Sequence, residues 1–311
     1  MLSEKQLRPN RNGNLYLQFE VSDRTGAINA RMWNACEAVY KSCDNGDYVR
    51  VEGTTQLFQG AVQLIVSRLT RLDVSEIDAD DFTPLAAVEV DKLQVRLVEM
   101  LRGMSDPNLV NLAECFLMDE ALLAKLGRAP AGVKNHHAYL GGLLEHIVNL
   151  MEVVLRIAPC YPQINRDLLL MGAFLHDLGK IRELTYDRGL AYSDEGQLIG
   201  HLVMAVGMLD AKVAEAEKLS GEPIAEETVL RLKHMIISHH GEYGFGSPKL
   251  PMTLEAIALY CLDNLDAKIN SFHQLITEDP NVDSPWTVYQ ANIDRKLFKG
   301  RPNEQSPKGE I

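Results

Sequence analysis

The sequence predicts two domains, a small all-β domain followed by a larger all-α helical bundle. Apolar residues alternate with a period near two across residues 13–72, which is typical of half-buried strands. Residues 73–91 then hold seven acidic side chains and no basic one. Beyond residue 91, apolar spacings of three and four indicate helices. We therefore expect a β domain over 1–75, an acidic linker over 76–90, a helical domain over 91–285 and a partly disordered tail over 286–311.

Composition and charge limit the classes of protein that fit this chain. The 311 residues are 46% hydrophobic, and no apolar run approaches the ~18 residues of a membrane span. A signal-peptide core is not evident, and the five cysteines show no CxxC spacing. These features predict a cytoplasmic protein with reduced thiols and no membrane partner. The net charge is −12, yet residues 1–75 carry nine basic and eight acidic groups, so this domain is the better candidate for touching phosphates.

The β domain is predicted to contain four strands and one short helix. Alternating apolar residues from Leu15 to Val21 form a strand that ends in the turn Asp23-Arg-Thr-Gly26. A second strand follows over 27–33, then a helix over 34–41, and then strands over 48–52 and 62–66. This order is that of an OB-fold barrel that lacks its first strand, and Asp-Arg-Thr-Gly-x-Ile resembles the nucleic-acid-binding OB family.

The segment before these strands leaves two arrangements open. Residues 1–8 are mostly polar, and only Leu2 and Leu7 are available for core positions. Either a short, poor strand closes the barrel, or the chain begins inside the domain. The aromatic residues of this domain are candidate stacking surfaces for unpaired bases: Tyr16, Phe19, Trp33, Tyr48 and Phe58. The alternative is that Phe19, and with it Trp33, lies in the barrel core, so we assign base contacts to Tyr16 and Trp33.

The helical domain is predicted to contain about seven helices. Their predicted ranges are 91–104, 107–126, 137–157, 165–178, 195–219, 224–240 and 252–277. Asn165 is a predicted cap for the helix that leads into Phe174-Leu-His-Asp-Leu-Gly-Lys180. Gly241 is predicted to end a later helix, the one that carries His239 and His240.

Histidine and aspartate recur along these helices at intervals that suit a metal site. The set comprises His146, His176, Asp177, His201, His239, His240 and Asp263. Imidazole nitrogen mixed with carboxylate oxygen is typical of a catalytic divalent metal, whereas a structural zinc site would favour thiolates. The order H…HD…H…H…D resembles the HD-domain metal-dependent phosphohydrolase superfamily.

This resemblance implies a metal site and assigns roles within it. His146, His176, Asp177 and Asp263 would bind one ion, and His201 with His239 or His240 a second. Asp177 would bridge the two ions, which then share and activate a hydroxide. Asp266, on the same helix face as Asp263, is the fallback ligand.

The residues near these ligands have two interpretations each. Lys180 would neutralise a substrate phosphate, or it would complement the dipole at a helix C-terminus. Of the adjacent pair His239 and His240, one would bind metal and the other would meet substrate or the bridging hydroxide; we assign His239 to metal and His240 to catalysis. His136 and His137 would contact substrate, or they would lie at an exposed helix start.

Four further motifs extend the resemblance to nearly the whole chain. They are His136-His-Ala-Tyr-Leu-Gly-Gly-Leu-Leu-Glu-His146, Ser238-His-His-Gly241, Gly246-Ser-Pro248 and Asp263-Asn-Leu-Asp-Ala267. With the OB domain they resemble the YhaM-type bacterial 3′-5′ exoribonucleases. The resemblance implies an enzyme that removes nucleoside 5′-monophosphates from single-stranded RNA, and also from DNA. It also implies that the protein binds one or two divalent ions. Manganese is the first expectation, and iron, cobalt, nickel, zinc and magnesium are the alternatives.

Two other functions remain open at this point. A phosphohydrolase of small nucleotides or cyclic dinucleotides would use the same metal site, with the OB domain as a regulator. A non-catalytic single-strand-binding protein would use the metal only for structure. The OB domain favours the exonuclease, since a free nucleotide needs no strand-binding surface, and a homo-oligomer is compatible with all three hypotheses.

Overall fold

The computed structural model describes residues 1–10, 12–23, 26–58, 61–77, 87–132, 139–186 and 190–300. Its contacts divide the chain into two compact units, residues 1–82 with 268–311 and residues 83–267. Several predictions fall outside the described residues: the turn positions 24–25 and 59–60, most of the acidic linker, His136, His137 and the tail beyond residue 300. Within the described ranges, no helix is long and apolar enough to cross a membrane.

The first unit contains a five-stranded sheet. Its strands are β1 (Leu2–Pro9), β2 (Leu15–Asp23), β3 (Gly26–Met32), β4 (Val49–Phe58) and β5 (Ala61–Arg71), with the short helix α1 (Glu37–Lys41) between β3 and β4. The order across the sheet is β1-β2-β3-β5-β4, and only the β3–β5 pair is parallel. This topology confirms the OB fold. The ladder is open between β1 and β4 in the described chain, although Leu2 exchanges main-chain hydrogen bonds with Gly46 and Asp47 just before β4.

The expectation that the first strand is missing was wrong. β1 pairs with β2 along its length, and a bulge between Ser3 and Gln6 adds one residue to β1. Leu2 and Leu7 are an odd number of positions apart, so regular alternation would place them on opposite faces of the sheet. The bulge instead lets both pack into the core formed around Leu17. A period-two pattern interrupted in this way is not visible in the sequence.

The second unit is helical. Its elements are α2 (Ala87–Arg102), α3 (Pro107–Leu117), α4 (Glu120–Leu126), α5 (Gly142–Ile157), α6 (Arg166–Leu175), α7 (Lys180–Glu183), α8 (Asp194–Leu198), α9 (His201–Ser220), α10 (Glu226–Ser238) and the first part of α11 (Leu254–Thr277), with a small hairpin of β6 (Leu184–Thr185) and β7 (Ala191–Tyr192). α6 is apolar at nearly every position and is buried along its length. Because α6 packs against α5 and α10, it supports the residues that follow it from inside the core.

Local caps decide where the predicted helices begin and end. Asn165 accepts a hydrogen bond from the backbone N–H of Leu168, so the predicted cap of α6 is confirmed. The predicted helix over 107–126 is divided into α3 and α4, because Asp119 caps the start of α4. The predicted helix over 195–219 is divided at Gly200, whose φ is +79°.

The contacts assign residues 268–311 to the unit that contains the sheet. The sequence predicts a helical domain up to residue 285, and that boundary stays a prediction, because spacing alone shows that a helix continues and not which partners it has. Trp286 and Phe298 form an antiparallel bridge with ring centroids 5.0 Å apart. Lys299 contacts the buried carboxylate of Asp279 at 2.9 Å, so residues 286–300 form a hydrogen-bonded segment.

Candidate metal centre

Five helices of the second unit bring the predicted ligands together. His176 follows the last residue of α6, His239 follows the last residue of α10, and His201 is the first residue of α9. His146 lies within α5 and Asp263 within α11. Three of the five positions are therefore helix ends, where a side chain is free to turn toward a common point.

The first group of ligand atoms surrounds the Nε2 atom of His146. This atom lies 3.2 Å from His176 Nε2 and 3.3 Å from Asp263 Oδ1. Asp177 Oδ2 lies 3.5 Å from His176 Nε2 and 3.9 Å from His146 Nε2. Bonds of about 2.0–2.2 Å from one ion to nitrogen and oxygen place neighbouring ligand atoms roughly 3–4 Å apart. The spacing of these atoms fits a single divalent ion.

The second oxygen of Asp177 faces a different pair of histidines. Asp177 Oδ1 lies 3.5 Å from His201 Nε2 and 3.5 Å from His239 Nε2. Ligand atoms of His201, His239 and His240 also lie within 4.8 Å of one another. Because each oxygen of Asp177 faces its own set of nitrogens, the carboxylate has the geometry of a bridge between two ions.

Three buried polar atoms in this second group have no hydrogen-bond partner among the described residues. They are Asp177 Oδ1, His201 Nε2 and His240 Nδ1. Buried polar atoms are rarely left without a partner, because the loss of hydration costs about 1–3 kcal/mol per group. An imidazole lone pair and a carboxylate oxygen facing each other are the donors that a divalent transition metal accepts. The residues therefore fit a second cation.

The Nδ1 atoms of the four inward-facing histidines each have a partner. His176 Nδ1 contacts the carbonyl oxygen of Ala173 at 2.8 Å, and His239 Nδ1 contacts that of Ile236 at 2.7 Å. The other two rings contact carboxylates instead. His146 Nδ1 lies 2.8 Å from Asp266 Oδ2, and His201 Nδ1 lies 2.9 Å from Glu183 Oε1. An Nδ1–H donated to such a partner leaves Nε2 free to bind a metal ion.

Nothing in the sequence indicated a role for Glu183, and Asp266 was placed second to Asp263 as a ligand. Asp266 was the fallback ligand, but the structure places its carboxylate on the outer nitrogen of His146. Glu183 lies seven residues after His176 and gave no signal of its own, because a carboxylate on a short helix is common. Only the approach of α7 to the start of α9 reveals its contact with His201.

Burial and charge shift the titration of these groups in opposite directions. Burial lowers the pKa of His176 to about 3. Burial also acts to lower the pKa of His146, but hydrogen bonds to Asp263 and Asp266 outweigh it and raise that pKa to about 10. Burial lowers the pKa of His240 to about 4, with a further contribution from neighbouring His239. In the absence of metal, His146 is therefore protonated near neutral pH, whereas His176 and His240 are neutral.

Lys180 pairs directly with the central carboxylate. Its Nζ atom lies 2.6 Å from Asp177 Oδ2. Burial would raise the pKa of Asp177, but the charge of Lys180, together with His176 and His239, outweighs burial and holds that pKa well below its usual range. Lys180 is the first residue of the four-residue helix α7, and both interpretations of its role stay predictions.

Gly179 permits the close approach of α7 to the start of α9. A Cβ atom at this position would lie 2.1 Å from the carbonyl oxygen of His201, far inside van der Waals contact. The glycine in His176-Asp-Leu-Gly-Lys180 is thus a packing requirement, since any side chain would push His201 away from Asp177.

Tyr16 and Trp33 come together on the first unit, away from its core. Their ring centroids lie 5.1 Å apart at an angle of 41°, and 44% of Trp33 is exposed. Arg31 lies over the ring of Phe58 at 5.4 Å from its centroid. Phe19, by contrast, is buried in the core as predicted. The outer face of β2 and β3 therefore presents aromatic rings beside a guanidinium group.

Comparisons with known proteins agree with both units. Residues 1–72 match the family model of the OB-fold nucleic acid binding domain, and residues 143–268 match that of the HD domain. The 3′-5′ exoribonuclease YhaM of Geobacillus sp. (strain WCH70) is 36% identical over 298 residues, which cover 94% of this chain and 82% of that protein. The YhaM protein of Bacillus subtilis (strain 168) is 34% identical over 260 residues, covering 83% of this chain and 80% of the relative. The chain therefore belongs to the YhaM family of 3′-5′ exoribonucleases.

Proposed function

We propose that this protein is a metal-dependent 3′-5′ exonuclease that hydrolyses single-stranded RNA to nucleoside 5′-monophosphates. The observation that supports this most is the placement of Asp177, whose two oxygens face two separate groups of histidine nitrogens. A carboxylate placed in this way would bridge a two-ion centre, which would supply the chemistry for phosphodiester hydrolysis. The strand-binding fold of the first unit favours a polymer over a free nucleotide as substrate.

The distances between side-chain atoms support a ligand assignment. His146, His176 and Asp263 would hold one ion together with Asp177 Oδ2, and His201 and His239 the other together with Asp177 Oδ1. Manganese is the ion that the resemblance to the family implies; the carboxylate oxygens of this set suit it, whereas the imidazole nitrogens also suit iron, nickel or zinc. When bound, two such ions supply an activated water and stabilise charge on the phosphodiester oxygens.

Lys180 and His240 are the proposed substrate-side groups. Lys180 presents a cation beside the centre and is 18% exposed, so its charge is placed to stabilise a phosphate oxygen that approaches Asp177. The ring of His240 lies 5.2 Å from that of His201, and its Nδ1 atom is buried without a partner among the described residues. This position suits a hydrogen bond to the attacking water or to the substrate.

The first unit would hold the strand from which nucleotides are removed. Tyr16 and Trp33 offer stacking surfaces for unpaired bases, and the near-neutral charge of residues 1–75 indicates that stacking outweighs phosphate contacts. Stacking accepts every base, which suits an enzyme that must process strands of any sequence.

Labelled oligonucleotides test the proposal directly. The protein, loaded with Mn²⁺, is incubated with single-stranded RNA carrying a label at the 5′ end or at the 3′ end. We expect a ladder that shortens from the 3′ end with the first label and immediate release of a labelled mononucleotide with the second. DNA of the same sequence shows whether deoxyribose is accepted.

Matched variants make the result specific. Asp177→Ala should lower turnover by about a thousandfold or more, because it removes a ligand shared by both ions. Asp210→Ala removes an exposed carboxylate of α9 that pairs with Lys233 and should leave turnover unchanged. Hydrolysis of cyclic dinucleotides without strand shortening would instead favour the nucleotide phosphohydrolase.

A further inference from the structure

The four inward-facing histidines are held in two different ways. His176 and His239 direct Nδ1 to a carbonyl oxygen three residues earlier, within the last turn of their own helices. His146 and His201 direct Nδ1 to carboxylates from other elements, Asp266 on α11 and Glu183 on α7. Each proposed ion therefore has one histidine held by a backbone carbonyl oxygen and one held by a carboxylate.

Glu183 makes more than one contact with His201. Its Oε1 atom accepts a hydrogen bond from the backbone N–H of His201 at 3.0 Å and contacts the ring Nδ1 at 2.9 Å. A single oxygen thus fixes both the start of α9 and the rotation of the imidazole. The Gly200 that precedes His201 offers no side-chain cap, so this carboxylate also takes the place of an N-cap.

The backbone of Glu183 is itself held in place. Its carbonyl oxygen accepts a hydrogen bond from Ser193 at 2.8 Å, and a Cβ atom on Gly196 would lie only 2.2 Å from the same oxygen. Glu183 is 7% exposed. A buried carboxylate on a fixed backbone is well suited to hold a ligand at a set angle.

The contact between Glu183 and His201 affects one of the two proposed ion sites. A carboxylate that accepts the Nδ1–H of a metal-binding histidine fixes the tautomer of that histidine and makes Nε2 a stronger electron-pair donor to the metal. His201 Nε2 and the facing Asp177 Oδ1 both lack a hydrogen-bond partner in the described chain. The orientation of His201 is therefore set from its Nδ1 side.

We propose that Glu183 is the positioning residue of the second ion site, and that it sets the affinity of that ion through His201 while Asp266 does the same for the first ion through His146. This inference rests on the proposed two-ion centre. It adds a division of labour, in which two carboxylates that bind no metal themselves control the two ions separately.

Metal binding without substrate tests this division. The full-length protein and its variants are titrated with Mn²⁺ by calorimetry, and bound metal is counted by elemental analysis. Glu183→Ala should lower the affinity for one of the two ions by about 10–100-fold, and Asp266→Ala should lower the affinity for the other ion by a similar factor. Glu183→Gln keeps an oxygen that accepts both hydrogen bonds, so it separates the effect of charge from that of folding.

A double-mutant cycle identifies which ion each carboxylate controls. In a His201→Ala background, Glu183→Ala should cause no further loss of Mn²⁺ affinity. Asp266→Ala should still weaken the binding of the ion that remains in that background. In a His146→Ala background the pattern should reverse. A purely structural role for Glu183 would lower the affinity of both ions in every background, and that result would overturn the proposal.

The outcomes also separate this inference from the proposed function. A wild-type protein that binds no Mn²⁺ would contradict both. A wild-type protein that binds two ions, with a Glu183→Ala variant that binds both with unchanged affinity, would overturn only the role of Glu183. Failure to degrade RNA, with the expected pattern of metal loss, would overturn only the substrate.

Discussion

At the scale of single residues, the centre is organised by which atom of each side chain faces inward. His146 Nε2 faces the ligand group while its Nδ1 contacts Asp266. The ring lies between two carboxylates, and this explains a pKa raised to about 10 despite burial. At neutral pH the metal-free site therefore carries a proton that a metal ion must displace.

This proton gives a pH dependence of defined sign. Below about pH 10 the metal-free protein binds one more proton than the loaded protein, so a rise in pH favours loading. We expect the apparent Mn²⁺ affinity to increase by up to about tenfold per pH unit around neutrality. Calorimetry in buffers of different ionisation enthalpy should show release of roughly one proton.

A histidine outside the centre provides the control. His234 Nε2 accepts a hydrogen bond from the backbone N–H of Met252 at 2.9 Å, and its ring is not part of the ligand groups. The His234→Gln variant should release the same number of protons as the wild-type protein when it binds Mn²⁺. An affinity that does not change between about pH 6.5 and 8.5 would contradict a protonated His146.

At the scale of elements, the metal centre depends on how closely the short helix α7 approaches the first turn of α9. Gly179 lies directly against the carbonyl of His201, and a Cβ atom there has no space. Backbone atoms cannot rotate away as a side chain can, so a substitution must move α7 or α9.

Gly179→Ala should therefore damage both stability and metal binding. We expect a loss of about 1–3 kcal/mol in the free energy of unfolding, as for other overpacked sites. Mn²⁺ binding at the ion site of His201 should weaken as well. Urea denaturation and calorimetric titration measure the two effects.

Gly207 in α9 is the matched control. A Cβ atom at this position meets nothing within 4 Å. Gly207→Ala should be neutral or should stabilise the helix by up to about 1 kcal/mol. Equal loss of stability in both variants would show that helix α9 is sensitive to alanine in general, and not that Gly179 is a contact point.

At the scale of the whole molecule, the two units carry different chemistry. The described part of the first unit presents the Tyr16 and Trp33 rings, whereas the proposed ligands all lie in the second. If the first unit holds the strand, its aromatic residues should affect the binding of long substrates and not the hydrolysis of small ones.

A double substitution at Tyr16 and Trp33 tests this separation. Replacing both with alanine should weaken binding to long single-stranded RNA by roughly ten- to a hundredfold, given about 1–3 kcal/mol per stacked base. Hydrolysis of a small activated phosphodiester should be unchanged. Binding is measured by fluorescence anisotropy and hydrolysis by absorbance.

The control for this pair is Tyr161, an exposed tyrosine of the other unit. Tyr161→Ala should change neither measurement. If the double variant loses activity on both substrates, the first unit supports the catalytic fold instead of holding the strand. An unchanged affinity for long RNA would remove the main reason to prefer a polymeric substrate.

The order of the domains, the OB and helical folds and the set of candidate ligands could be predicted from the amino-acid sequence. Apolar periodicity is a local property, so β2, β3 and most helices could be predicted from neighbouring residues. The ligand types could also be predicted, because donor chemistry depends on the side chain alone.

The way in which those parts meet became visible in the folded protein. The bulge that makes β1 a core strand depends on pairing with β2. The Asp119 cap and the positive φ of Gly200 divide helices that the apolar spacing joins. The two faces of Asp177 and the contact between Glu183 and His201 join residues far apart in the chain. Such contacts have no local pattern, because they arise from packing between elements and not from the periodicity within one.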